Sequence, residues 1–140
     1  MPARGLLLAL LFLTVSPQVQ TRFPVHVESP IYPPLAVAAR IVGDVLLAAR
    51  IDSDGGVTLS YVVSGHPLLV QAALDNLKKW KFQPGESQEM EITYHFKVNG
   101  TPGNYPQSEC TFDLPNSVTI SSRPFPIDNQ NATSGKSTSK

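Results

Sequence analysis

The sequence predicts an α+β fold: a three-stranded antiparallel sheet packed against two helices in the order α-β-β-α-β, followed by a disordered C-terminal tail. Three observations carry that prediction. Apolar and polar residues alternate along Val45–Ile51, Val57–Val63 and Met90–Val98, the period of a half-buried strand. Between Val70 and Trp80 the apolar residues instead recur at helical spacing. The prolines avoid this region: of 13 in the chain, only Pro67 and Pro84 fall between residues 35 and 98.

The elements follow in order. Pro33 and Pro34 suit the first turn of a helix, where a missing N–H is no loss, and Leu35–Ile41 continue it as far as Gly43. Val45, Leu47, Ala49 and Ile51 then alternate with Asp44, Leu46, Ala48 and Arg50. Asp52-Ser53-Asp54-Gly55-Gly56 reads as a turn, since Asp hydrogen-bonds its own backbone and Gly accepts positive φ. Val57, Leu59, Tyr61 and Val63 thus return as the second arm of a hairpin. Ser64-Gly65-His66 leads into a second helix at Pro67. Its apolar stripe is Val70, Ala73, Leu74, Leu77 and Trp80, with Gln71, Asp75 and Lys78 turned to water. In the last strand Met90, Ile92, Tyr94, Phe96 and Val98 alternate with Glu89, Glu91, Thr93, His95 and Lys97, so one face is buried and the other wet.

Composition excludes several functions. The 140 residues carry 11 basic and 11 acidic side chains and no net charge, so there is no basic face for nucleic acid or an acidic membrane surface. Cys110 is the only cysteine, which excludes an internal disulfide and a Cys-type zinc site. Asp52–Gly56 lacks the later ligands and the terminal glutamate of a calcium loop. His26, His66 and His95 fall in a loop, at a helix start and on a strand, without metal-ligand spacing, and each reads as a surface or capping residue. Cys110 has no nearby histidine to activate it, and nothing apolar surrounds Glu89 and Glu91 to raise a carboxyl pKa. No enzyme, cofactor, metal or small-molecule substrate is expected.

At the N-terminus Arg4 precedes the apolar run Gly5–Leu13. A spanning helix needs about 20 residues, so residues 1–20 are expected to be an export signal. Residues 21–29 read as a linker, 30–99 as the folded domain, and 100–140 as a Pro/Ser/Asn-rich tail whose apolar content is too low to offset ordering entropy. Within that tail, Cys110–Leu114 or Ser117–Ile120 could form a short strand.

An ordered set of marks runs through the domain. Tyr32-Pro33-Pro34-Leu35-Ala36 is followed by Gly43-Asp44-Val45, Ile51-Asp52, Asp54-Gly55, Ser64-Gly65, Trp80-Lys81-Phe82-Gln83-Pro84 and Phe96-Lys97-Val98-Asn99-Gly100. This series resembles the TonB C-terminal domain family over about residues 30–100. The resemblance implies a periplasmic module of Gram-negative bacteria that captures the N-terminal segment of an outer-membrane transporter by adding it as a strand to its sheet. Carried onto this chain, it places partner contacts on Ser29, Pro30, Ile31 and Tyr32, while the strand edge that the alternation predicts adds Glu89, Glu91, Thr93, His95 and Lys97. The segment before the Tyr-Pro, Glu28-Ser29-Pro30-Ile31, departs from the family pattern. The residues themselves agree with strand addition, because a three-stranded sheet exposes edges with unpaired N–H and C=O groups and Glu89–Val98 has no proline. The alternative is a structural envelope module whose sheet edge makes a homodimer.

Overall fold

The computed structural model describes residues 20–103 and 108–126, so the apolar run expected as an export signal lies outside the described residues. The elements are β1 (Pro24–His26), α1 (Pro34–Ala38), β2 (Gly43–Ile51), β3 (Val57–Ser64), α2 (Pro67–Leu77), β4 (Lys81–Phe82), β5 (Gln88–Val98), β6 (Ser108–Asp113) and β7 (Ser117–Ser122). No helix among the described residues is long and apolar enough to cross a membrane.

Strands β2, β3 and β5 form the antiparallel unit read from the alternation, with β2 in the middle. Their inward residues, Val45, Leu47, Ala49, Ile51, Ile92, Tyr94 and Phe96, are buried with Ala36 and Val37 of α1 and Leu69, Ala73 and Leu77 of α2. Trp80 and Phe82 close this core at the end of α2. The helices therefore cover one sheet face, as the apolar stripe of α2 requires. Helix α1 stops at Ala38, short of Gly43, because Arg40 takes φ 53° and turns the chain so that the Ile41 N–H reaches back to the Ala36 carbonyl at 2.8 Å.

The expectation of a three-stranded sheet is corrected: the sheet has five strands, in the order β3-β2-β5-β7-β6. Both added strands come from the segment expected to be mostly disordered, at the two places where one short strand was allowed. Strand β7 lies parallel to β5 over Thr93–Val98, and β6 returns antiparallel on its far side. The tail's low apolar content hid them, because the whole contribution of β7 is two β-branched side chains, Val118 and Ile120, both fully buried. A strand laid against an existing sheet needs only an alternating apolar pair on one face. Residues 21–29, expected as a linker, also hold structure: β1 pairs with β4 in a two-stranded sheet.

The candidate docking edge and its neighbours

The edge expected at Glu89–Val98 is an interior strand over Thr93–Val98, since β2 pairs on one side and β7 on the other. Main-chain direction along β5 is fixed by two bonds. The Thr93 N–H donates to the Asn116 carbonyl at 2.9 Å, and the Asn99 N–H donates to the Ser122 carbonyl at 2.9 Å. Alternation then turns the backbone groups of Thr93, His95 and Lys97 toward β7 and those of Tyr94 and Phe96 toward β2. Glu89 and Glu91 share the parity of Thr93 but precede the first β7 pair, so this end of the edge has no strand beside it among the described residues.

The side chains of the same residues stand on the sheet face away from the helices. Glu89 is held by Arg50, Oε1 to Nη2 at 3.1 Å, directly across the β2–β5 register. His95 Nδ1 lies 2.6 Å from Asp44 Oδ1, again a cross-strand pair. Exposed pairs of this kind contribute little, about 0.2–1 kcal/mol, and they lie on the sheet face, not on the main-chain groups of β5.

Sequence reasoning also placed contacts on Ser29–Tyr32. The structure divides that segment. Tyr32 is 3% exposed, its hydroxyl donates to the Ile41 carbonyl at 2.6 Å, and its ring meets Phe96 edge-on at 5.1 Å. Burial pushes the Tyr32 phenol up from its usual range. Pro30 is buried too, whereas Ser29 and Ile31 are exposed, Ile31 at 76%. Tyr32 is thus a core residue that fixes the segment, and only Ser29 and Ile31 offer side chains to a partner. The two halves of the expected site are joined through the hairpin: Cys110 on β6 directs its Sγ at the Pro30 carbonyl, 3.6 Å away. Burial raises the Cys110 thiol pKa, with a hydrogen bond from Ser29 opposing.

One central residue was missed. Asn76 on α2 is buried, accepts from Trp80 Nε1 at 2.9 Å and from the Tyr94 hydroxyl at 3.0 Å, and donates to the Glu28 carbonyl at 2.8 Å. It ties α2, β5 and the segment before Tyr32 together. The available signal was its place three residues after Ala73 and four before Trp80, on the apolar stripe itself.

A cleft of about 750 Å³ lies beside the free end of β5, lined by Gln20–Arg22 and Gln83–Glu89. Its buried cation, Arg22, spends its guanidinium on the carbonyls of Gln83, Asp52 and Glu86, so it ties loops together instead of presenting charge to a ligand. Among the described residues no cluster of His, Cys, Asp and Glu could hold a metal. Asp52–Gly56 is a turn, with the Gly56 N–H donating to Asp52 Oδ1 at 2.9 Å. His66 caps α2 by accepting from the Leu68 N–H at 3.2 Å.

Comparison with known proteins follows the same outline. A family model described as the Gram-negative bacterial TonB protein C-terminal matches residues 28–99. Among solved structures, the solution NMR structure of the Pseudomonas aeruginosa TonB CTD is similar, with a TM-score of 0.53 and 23% sequence identity, covering 59% of this chain and 92% of that one. At that identity the likeness concerns the fold alone. Among curated proteins, no match was found.

Proposed function

The chain belongs to the TonB C-terminal family of Gram-negative bacteria, and from that premise we propose that it is a periplasmic protein-binding module that captures an extended segment of an outer-membrane transporter by strand addition along β5. The single observation that supports this most is the chemistry of the β5 edge. Thr93, His95 and Lys97 aim their main-chain groups away from β2, no proline interrupts them, and they engage an extended strand in parallel register. Main-chain bonds of this kind supply affinity, and alternate side-chain pockets supply selectivity. Pro30, flanked by exposed Ser29 and Ile31, meets the same hairpin through Cys110 on β6.

Thr93→Pro tests the reading, because it deletes the N–H that faces away from β2 and leaves the β2 ladder its donors. Because the same N–H also bonds the Asn116 carbonyl of β7, the comparison is made in a chain whose β7 is released by Ile120→Asp: there, binding of extended peptides from transporter N-termini should weaken at least about tenfold, a loss of roughly 1.4 kcal/mol. Unchanged affinity refutes β5 as the docking edge.

A second reading, self-association, is favoured by β3. That strand pairs only with β2 and carries no charge or proline, and it exposes Leu59, Tyr61 and Val63 on one face. An uncharged apolar edge of this length invites pairing with another chain. Sedimentation across a concentration series distinguishes the readings: a dimer that Tyr61→Lys abolishes, without any peptide capture, supports the second.

A further inference from the structure

We propose that the β6–β7 hairpin is a tethered occupant of the docking edge, a built-in competitor that an incoming strand must displace. The inference rests on the reading of β5 as the docking edge and adds its regulation. Four observations lead to it. Strand β7 takes the main-chain groups of Thr93, His95 and Lys97, the same groups an added strand would use. The hairpin also reaches the other half of the expected interface, with Cys110 against the Pro30 carbonyl. It lies wholly beyond residues 28–99, the part matched by the family model. Topologically it is an addition: without β6 and β7, the β3-β2-β5 sheet keeps its order and both helices.

The occupant also indicates what can replace it. Val118 and Ile120 point inward beside Tyr94 and Phe96, while Ser117, Thr119 and Ser121 lie on the outer face. A displacing segment is therefore extended, parallel to β5, with β-branched apolar residues at two alternate positions and small side chains between them. Because the occupant is covalently linked, its effective concentration is in the millimolar range. An external strand then binds with an apparent Kd raised by the inverse of the open fraction.

The full-length chain carries its own reporters. In hydrogen exchange, hairpin opening uncovers the Thr93, His95 and Lys97 amides but leaves Tyr94 and Phe96 bonded to β2. The odd-numbered amides should exchange as a group at least about tenfold faster than the even-numbered ones. Equal protection of both sets overturns the proposal, because the hairpin then opens only when the whole domain unfolds. Ile120→Asp places a charge at a fully buried position of β7 and should release the hairpin. Thiol modification of Cys110, the only cysteine, should accelerate at least about tenfold in that variant. A synthetic peptide of residues 116–123 should then shift Thr93–Lys97 resonances in the variant and not in the unaltered chain at the same concentration. A peptide that perturbs neither protein, or both equally, contradicts a displaceable occupant. If Ile120→Asp unfolds the domain, the exchange pattern of the unaltered chain still decides. Transporter peptides that fail on the opened variant while the 116–123 peptide binds would refute the proposed partner and leave the tethered occupant standing.

Discussion

A Cβ on Gly55 would sit 1.9 Å from the Phe82 carbonyl oxygen, and Gly55 holds φ +91°. The Phe82 N–H in turn donates to the Gly55 carbonyl at 2.9 Å. This contact explains why an Asp-Gly turn and a Trp-x-Phe segment appear together: the first packs its backbone against the second. Gly55→Ala should destabilise the fold by about 3 kcal/mol or more through strain and clash, read as a fall in denaturant midpoint at unchanged slope. Asn76 belongs to the same scale. Asn76→Leu strands the Trp80 N–H and the Tyr94 hydroxyl in the core and should cost about 2–4 kcal/mol. Tyr94 and Tyr32 are held above the usual phenol pKa by burial, so the unfolded chain gives up these protons at lower pH than the folded one does. Their contribution is complete below about pH 10 and declines as the pH rises beyond it. Phenolate absorbance of these two residues should therefore appear together with loss of tertiary structure. Ionisation of both in a chain that stays folded would contradict their burial.

At the scale of elements, β2, β3, α2 and β5 were legible because each repeats a strong period over many residues, and burial then follows that period. Strand β3 shows the limit of the method. Its alternation was read correctly, yet most of its residues are exposed, because it is the outermost strand and pairs only with β2. The hairpin was only half read, as one short strand at Cys110–Leu114 or Ser117–Ile120, for a different reason. Ser117–Ser122 is mostly hydroxyl side chains, and only the neighbouring β5 makes its two apolar residues worth burying. Such a strand has no local signature, since its partner lies elsewhere in the sequence. The candidate site was read as a free edge along Glu89–Val98, whereas β7 pairs with it over Thr93–Val98, a pairing that no local pattern in β5 announces. Ser29, Pro30, Ile31 and Tyr32 were all read as contacts, yet Pro30 is buried, and the inward turn of Tyr32 emerges only once Phe96 and the Ile41 carbonyl come together. Ile120→Ala, which leaves a cavity beside Phe96, should cost about 2–4 kcal/mol. That loss should appear as faster local exchange in β6 and β7 before it appears in β2.

For the whole molecule, the sheet ends in two unlike edges. The outer edge of β6 bears Glu109 and Asp113, charges that discourage pairing, while β3 bears none. Between them lies β5, joined to β2 on one side and to β7 on the other. Under the proposed reading, a small domain protects its docking edge without a separate inhibitor, since one peptide geometry serves both closure and capture. The β2–β5 ladder, cross-linked at the surface by Arg50–Glu89 and His95–Asp44, stays intact in either state. The most direct measurement is an NMR titration of the isotope-labelled chain with extended peptides from outer-membrane transporter N-termini. The account predicts shifts at Thr93, His95 and Lys97 and at Ser29 and Ile31, with Val118 and Ile120 moving toward unstructured positions as the hairpin leaves. Shifts confined to Leu59–Val63 on β3, or none at millimolar peptide even after Ile120→Asp has opened the hairpin, would contradict capture along β5.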